Sequence, residues 1–128
     1  LIVVDASVVA SALSDNGADG DRARRRLDGE DDLIAPELLD LEVVFAIRSG
    51  LSAETLTKRQ AQLALADLID LGVKRVSHVP LLARIWSLRD NLTPYDAAYV
   101  ALAEAFDVPL VTGDRRLSQA PGPRCAIE

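Results

Sequence analysis

Short apolar runs rich in β-branched residues, separated by longer stretches with helical signals, constrain this chain more than any other feature. Leu1-Ile2-Val3-Val4 opens as such a run and ends at Asp5. Pro109-Leu110-Val111-Thr112 repeats the arrangement and is followed by Gly113-Asp114. Leu33-Ile34-Ala35 and Lys74-Arg75-Val76-Ser77 read as further strands, and Cys125-Ala126-Ile127 as a last one. Between them helices are expected from Ser7 to Leu13, from Asp21 to Leu27, and from Pro36 to Ser49. In the third of these, Pro36 is read as the first helical residue and Gly50 as a left-handed cap. A long helix capped by Ser52 and stopped at Gly72 follows, then Pro80 to Arg89 and Pro94 to Phe106. Trp86 falls on the apolar stripe of the Pro80 helix, which predicts a core position. Strands that alternate with helices imply an α/β fold: a parallel sheet with helices on both faces.

At 128 residues, the chain fits one domain over 1–128. No repeat, low-complexity segment or linker divides it. Apolar residues make up 49% and aromatics only 4%, so the core must be built from Leu, Ile, Val and Ala. The net charge of −6 argues against a plain nucleic-acid-binding module, because general attraction to phosphate is missing. It argues less against an enzyme that holds its cations locally. The single cysteine, Cys125, allows no internal disulfide and suits a reducing cytoplasm; it reads as a small buried hydrophobe. His78 has no second His or Cys with which to share a metal. No apolar run approaches the ~20 residues of a membrane span, and the opening run ends too early for a signal peptide. A cytoplasmic location is expected.

Four acids stand out, each with a local explanation. Asp5 ends the first strand, where open parallel sheets bind ligands, but Asp is also a favoured helix N-cap. Glu42 has Leu38, Leu39, Phe45 and Ala46 as helical neighbours, all apolar. A carboxylate there must face a cleft or meet a cation, and a structural salt bridge is the plainer alternative. Asp96 lies three residues after Thr93 in a pattern resembling a capping box. The helix behind it, Ala97 to Ala103, is nearly apolar all round and should be buried. Asp114 suits a turn, yet it is the second acid placed just past a strand end.

Taken together, the four point to one chemistry. Two strand-end acids and a helix-start acid can converge above a parallel sheet, with Glu42 reaching in from a neighbouring helix. Gathered carboxylates repel, and without a cation some must take up protons. Oxygen-only ligands favour Mg²⁺ or Mn²⁺ over Zn²⁺, and Mg²⁺ keeps waters that leave room for a phosphate oxygen and a nucleophile. Such a site suits phosphodiester hydrolysis.

On these residues the sequence resembles the PIN-domain family, and within it the VapC-type ribonuclease toxins of bacterial toxin–antitoxin pairs. The matching segments are Val3-Val4-Asp5-Ala6-Ser7-Val8, Pro36-Glu37-Leu38 leading to Leu41-Glu42-Val43, Thr93-Pro94-Tyr95-Asp96-Ala97-Ala98-Tyr99 with Ala101-Leu102-Ala103, and Leu110-Val111-Thr112-Gly113-Asp114-Arg115-Arg116-Leu117. They occur in the family's order and span almost the whole chain. The resemblance implies a three-layer α/β/α sandwich with a mainly parallel sheet and a metal site made by Asp5, Glu42, Asp96 and Asp114. It makes Asp5 and Asp96 the nearest ligands, lets Asp114 complete that site or a second one, and gives Glu42 a water to hold. Ser7 and Thr112 match positions whose hydroxyls orient carboxylates or waters; a helix-start Ser and a strand-end Thr explain them equally well. Many relatives carry Ala where this chain has Gly113, and no loss of function is expected from that.

The implied reaction is Mg²⁺-dependent endonucleolytic hydrolysis of RNA by a metal-activated water, with Mn²⁺ a possible substitute. Arg115 and Arg116 follow Asp114 and are candidates for flanking phosphates, although solvated turn arginines are the plainer account. The run Arg22, Arg24, Arg25 and Arg26 reads first as a solvated helix face and second as an RNA contact. The resemblance also implies an antitoxin protein that lays a peptide across a groove near the site. Phe45, Ile47, Leu63, Leu65 and Leu68 are candidates for its apolar wall, and equally for core or a homodimer surface. The alternative is a non-catalytic PIN-like scaffold that binds a partner protein or RNA. A phosphotransferase of the haloacid-dehalogenase or receiver type would need a lysine near the acids, and Lys58 and Lys74 lie far from them in sequence.

Overall fold

The computed structural model describes residues 1–128. Its elements are β1 (Ile2–Val4), α1 (Ala6–Ser14), α2 (Ala18–Asp28), β2 (Leu33–Pro36), α3 (Leu39–Ser52), α4 (Lys58–Asp70), β3 (Val73–Val76), α5 (Leu82–Ser87), α6 (Pro94–Phe106), β4 (Leu110–Val111) and α7 (Arg115–Gln119). The strands form one sheet in the order β3-β2-β1-β4, every pair parallel.

That order determines where the helices lie. The connections β1 to β2 and β2 to β3 step in one direction, and right-handed crossovers put α1 to α4 on one face. The next connection returns past β1 to β4, so α5 and α6 cover the opposite face. Packing agrees: α1 meets α2, α3 and α4, while α6 lies on β1, β2 and β4 with α5 against it. The expected three-layer sandwich is present. The strand order reverses between β1 and β4, and the crevice past such a switch point is the usual ligand site of open α/β sheets. Asp5 follows β1, and Thr112 and Asp114 follow β4, so the switch point is lined with polar groups.

The central helix is α6. Thr93 caps it by accepting from the Asp96 N–H at 3.1 Å, Pro94 occupies its first turn, and every residue from Ala97 to Ala103 is buried. Small side chains let it approach the sheet closely. Val3, Val4, Val100 and Leu110 fill that contact. No helix is long and apolar enough to cross a membrane.

Several local expectations are corrected. Pro36 closes β2 instead of opening a helix, and α3 begins at Leu39. Gly50 does not cap α3, which runs on to Ser52; a Cβ there would come within 2.8 Å of Leu56, so the position needs a small residue for packing. The left-handed residue beyond the helix is Glu54, at φ 60°. Ser52 is absorbed into α3, and α4 is capped by Thr57, whose reciprocal bonds with Gln60 make a capping box. Trp86 is 68% exposed: α5 is too short to carry the expected stripe, so Leu88 is buried instead and Arg89 stacks 4.7 Å above the indole. The last strand reduces to a single parallel bridge between Ile127 and Leu110, and Cys125 is half-buried beside it.

Candidate active site

Asp5 is the one charged side chain in the buried set. It caps α1: Oδ1 accepts from the backbone N–H groups of Ser7 at 3.0 Å and Val8 at 3.2 Å. The Ser7 hydroxyl donates to the same oxygen at 2.5 Å, and Thr112 Oγ1 donates to Oδ2. Burial pushes the Asp5 carboxyl above its ordinary value, and these donors hold it back. Capping and site roles coincide here, because a cap at the end of a central strand is also a carboxylate at the switch point. Ser7 and Thr112 are both orienting groups for Asp5. The Ser7 hydroxyl accepts from the Gly113 N–H at 2.9 Å, and Thr112 Oγ1 accepts from the Asp114 N–H at 3.0 Å, so the two strand-end loops are tied across the switch point.

Asp96 does not use its carboxylate for capping. The Thr93 hydroxyl takes the Asp96 N–H, but the Asp96 side chain accepts no hydrogen bond and pairs with no cation. Burial pushes its carboxyl above the ordinary value first, then the charges of Asp114 and Asp5, against weaker opposition from Thr93 and Arg116. Glu42 lies on α3 without the salt bridge that its apolar surroundings made plausible. Its one partner is Tyr99, whose phenol donates to Oε1 at 2.7 Å. Burial lifts the Glu42 carboxyl, and the charges of Asp96 and Asp5 lift it further against that hydrogen bond. Asp114 differs: Oδ1 accepts from Arg116 N at 2.9 Å, and the Arg116 guanidinium sits 3.4 Å away, which draws this carboxyl below its usual range.

The four acids therefore share one electrostatic neighbourhood at the sheet's carboxyl edge: burial holds Asp5, Glu42 and Asp96 above their ordinary values, and neighbouring acids add to the rise in Glu42 and Asp96. Every donor is an oxygen, the chemistry of a hard divalent cation. No three His, Cys, Asp or Glu side chains are drawn tightly enough to hold an ion by themselves. This donor set fits a cation that keeps most of its water and takes one or two carboxylates, as Mg²⁺ does.

Sequence reasoning missed Tyr99. The signal was there: a tyrosine inside a fully buried run needs a partner for its hydroxyl, and this one shares a helix face with Asp96. The arginines separate. Arg24 donates to Ala12 O, Asp15 O and Asp21, bracing the α1–α2 turn. Arg26 is engaged by Glu30 and Glu128. Arg116 lies on Asp114, while Arg115 and Arg22 face a cavity beyond Thr112. Of the proposed groove wall, Phe45, Leu63 and Leu65 are exposed, whereas Ile47 and Leu68 belong to the core.

The PIN-domain family profile matches residues 2–123. A curated relative, Ribonuclease VapC1 of Mycobacterium tuberculosis, is 46% identical over 127 residues, covering 98% of this chain and 95% of that protein. Among solved structures, the M. tuberculosis toxin VapC20, described as cleaving the sarcin–ricin loop, superposes with a TM-score of 0.72 at 16% identity, covering 93% of this chain and 94% of that one. The VapBC2 structure of Rickettsia felis, bound to a promoter DNA fragment, superposes with a TM-score of 0.70 at 14% identity, covering 99% and 96%. At such identities these two structures attest the fold.

Proposed function

The chain belongs to the PIN-domain family, and on that premise we propose that it is a divalent-metal-dependent endoribonuclease acting as the toxin of a toxin–antitoxin pair. The observation that carries this reading is Asp96: a half-buried carboxylate on the central helix, raised by burial and by the charges of Asp114 and Asp5, that forms no ion pair and is opposed only weakly by Thr93 and Arg116. An unsatisfied acid in that position is costly unless a ligand completes it.

In this reading Asp5 and Asp96 would hold Mg²⁺, and Asp114, now paired with Arg116, would be a further ligand. A bound Mg²⁺ supplies Lewis-acid polarisation of a phosphoryl oxygen and a nucleophile from water at neutral pH. The protein's own part is orientation. Ser7 and Thr112 fix both oxygens of Asp5, and Tyr99 fixes one oxygen of Glu42, leaving the other to position a water. The half-buried crevice strengthens each of these contacts.

The test incubates purified chain with cellular RNA and maps new ends with Mg²⁺, with Mn²⁺ and with EDTA. Cleavage should need the metal and fall by about two orders of magnitude or more in Asp96→Asn. Undiminished cleavage in that variant or in EDTA overturns the metal site. No cleavage in any condition leaves the scaffold reading.

An antitoxin partner is part of the proposal. A groove of about 640 Å³ runs beside Glu42, lined by Leu38, Leu41, Phe45 and Tyr95. Leu41 is 75% exposed and Phe45 67%, on the outer face of α3. Such a surface suits the apolar side of a partner helix or peptide. Loss of toxicity suppression by a neighbouring-gene product in Phe45→Glu, with cleavage retained, checks it.

A further inference from the structure

A second cavity opens beside Thr112. It measures about 500 Å³ and shares Ser7, Thr112 and Gly113 with the acid site. Arginines reach it from elements far apart in sequence: Arg22 and Arg26 from α2, Arg115 from the start of α7. Asp19 and Glu128 also line it, which leaves the cavity net positive in a chain of net charge −6.

The arginines are not equivalent. Both ends of the Arg26 guanidinium are taken, by Glu30 at 2.8 Å and Glu128 at 2.7 Å, so Arg26 shapes the floor. Arg22 meets Asp19 at 3.4 Å with both side chains about three-quarters exposed, a pair that water largely screens. Arg115 makes no ion pair and no side-chain hydrogen bond, although an acidic chain offers many partners. Two guanidinium groups, carried by α2 and α7, are thus accessible to an incoming anion at this cavity. Gly113, having no side chain, lines this cavity and is tied through the Ser7 hydroxyl to Asp5.

We propose that this cavity is a backbone subsite, in which Arg22 and Arg115 hold the RNA phosphodiester adjacent to the one cut. It rests on the ribonuclease reading above and adds the path of the strand: from the acids, over Gly113, toward α2. An acidic protein gains little from general attraction to RNA, so a local pair of accessible arginines, one unpaired and one in a screened pair, carries the sequence-independent part of binding.

The experiment measures binding of a labelled single-stranded RNA by anisotropy across a salt series, in an Asp96→Asn background that leaves the strand uncut. Arg22→Ala and Arg115→Ala are each compared with Arg25→Ala, which removes the same charge from α2 outside the cavity. Each cavity variant should weaken binding several-fold and shallow the slope of log K against log salt by about 0.7, one phosphate contact on a single strand. Arg25→Ala should leave the slope in place. Equal slopes for all three, an equal change in Arg25→Ala, or no salt-dependent binding at all overturns the subsite. Cleavage by the unsubstituted chain is scored separately. A chain that binds as described but cuts nothing refutes the ribonuclease reading alone, whereas cleavage with unchanged slopes refutes the subsite alone.

Discussion

Helix α6 carries an acid toward each end, and the two are treated in opposite ways. Glu104 is clamped by Arg84, with contacts of 2.7 and 3.0 Å, and accepts the Arg124 N–H at 2.8 Å; its carboxyl is drawn below the ordinary range. Asp96, about two turns earlier, forms no ion pair, and burial and neighbouring acids raise it above its ordinary value against weak opposition from Thr93 and Arg116. One helix and one core present both, so the difference belongs to what each acid is for. A structural acid is neutralised by the chain, and a ligand-binding acid is left for the ligand. The sharpest way to break this comparison is to neutralise each in turn. Glu104→Gln should leave RNA cleavage near its starting level but destabilise the fold by about 1–2 kcal/mol, because Arg84 loses its partner in a partly buried setting. That is a fall of roughly 3–8 °C in melting temperature. Asp96→Asn should abolish cleavage and leave the metal-free melting temperature unchanged or raised. A melting loss in Asp96→Asn as large as that in Glu104→Gln would make both acids structural.

Acidity separates the two ends a second time. Asp96 has a folded-state value raised above the unfolded one, so its ionised form opposes folding; that penalty begins to shrink as pH falls through the raised value and is gone below the unfolded one. Glu104 has a lowered value, so its contribution is present above the unfolded value and is lost only as pH falls through the lower one. In metal-free buffer the melting advantage of Asp96→Asn should therefore shrink as pH falls toward the ordinary carboxylate value and be largely closed there. The deficit of Glu104→Gln should persist below it. Melting curves from pH 7 to pH 3 check this, and closure in the reverse order contradicts the assignment. Added Mg²⁺ should remove the Asp96 difference at pH 7 by favouring the unsubstituted chain.

These contrasts also mark what could be read from sequence. The β-branched runs ending in Asp5 and near Asp114, and the apolar stretch from Ala97 to Ala103, point directly to strands and a buried helix, because burial on both faces leaves a continuous apolar signal. The capping pattern at Thr93 was equally plain. Pairings across space were not. That Asp114 would be held by Arg116 two residues on, that Tyr99 would reach Glu42 from another helix, and that Trp86 would face outward depend on side-chain directions and helix lengths that no period encodes. The same holds at Gly50, where a cap signal and a packing requirement both select glycine, and at Ser52, where Thr57 supplies the better box.

Tyr99 offers a middle-sized test of the same contrast. Glu42 resembles Asp96 in having no cation, yet one of its oxygens is braced by a buried phenol. Removing only that hydroxyl, in Tyr99→Phe, frees the carboxylate without opening a cavity. Cleavage should fall about tenfold, in kcat with little change in KM, since the loss is of orientation. Stability should fall by about 1 kcal/mol, and Glu42→Gln should erase any further effect of Tyr99→Phe. Additive losses would detach Tyr99 from Glu42.

Gly113 lies where the two strand-end loops are joined, and two small effects oppose each other there. A Cβ would stand 3.2 Å from Ser7 Oγ and 3.7 Å from Ser7 Cβ, tight against a hydroxyl that also takes the Gly113 N–H. Its φ lies outside the left-handed region, so alanine meets no backbone strain and restricts the unfolded chain, worth about 0.4–1 kcal/mol of stability. Ser7 is exposed and can shift by a few tenths of an ångström, but it also holds Asp5 Oδ1. Gly113→Ala should therefore leave the melting temperature within about 2 °C, since the two terms nearly cancel. Cleavage should change by less than about threefold, within the effect of an indirect orienting contact. A larger loss of cleavage at unchanged stability would show that the tie between the loops, more than the acids' burial, sets the geometry of Asp5.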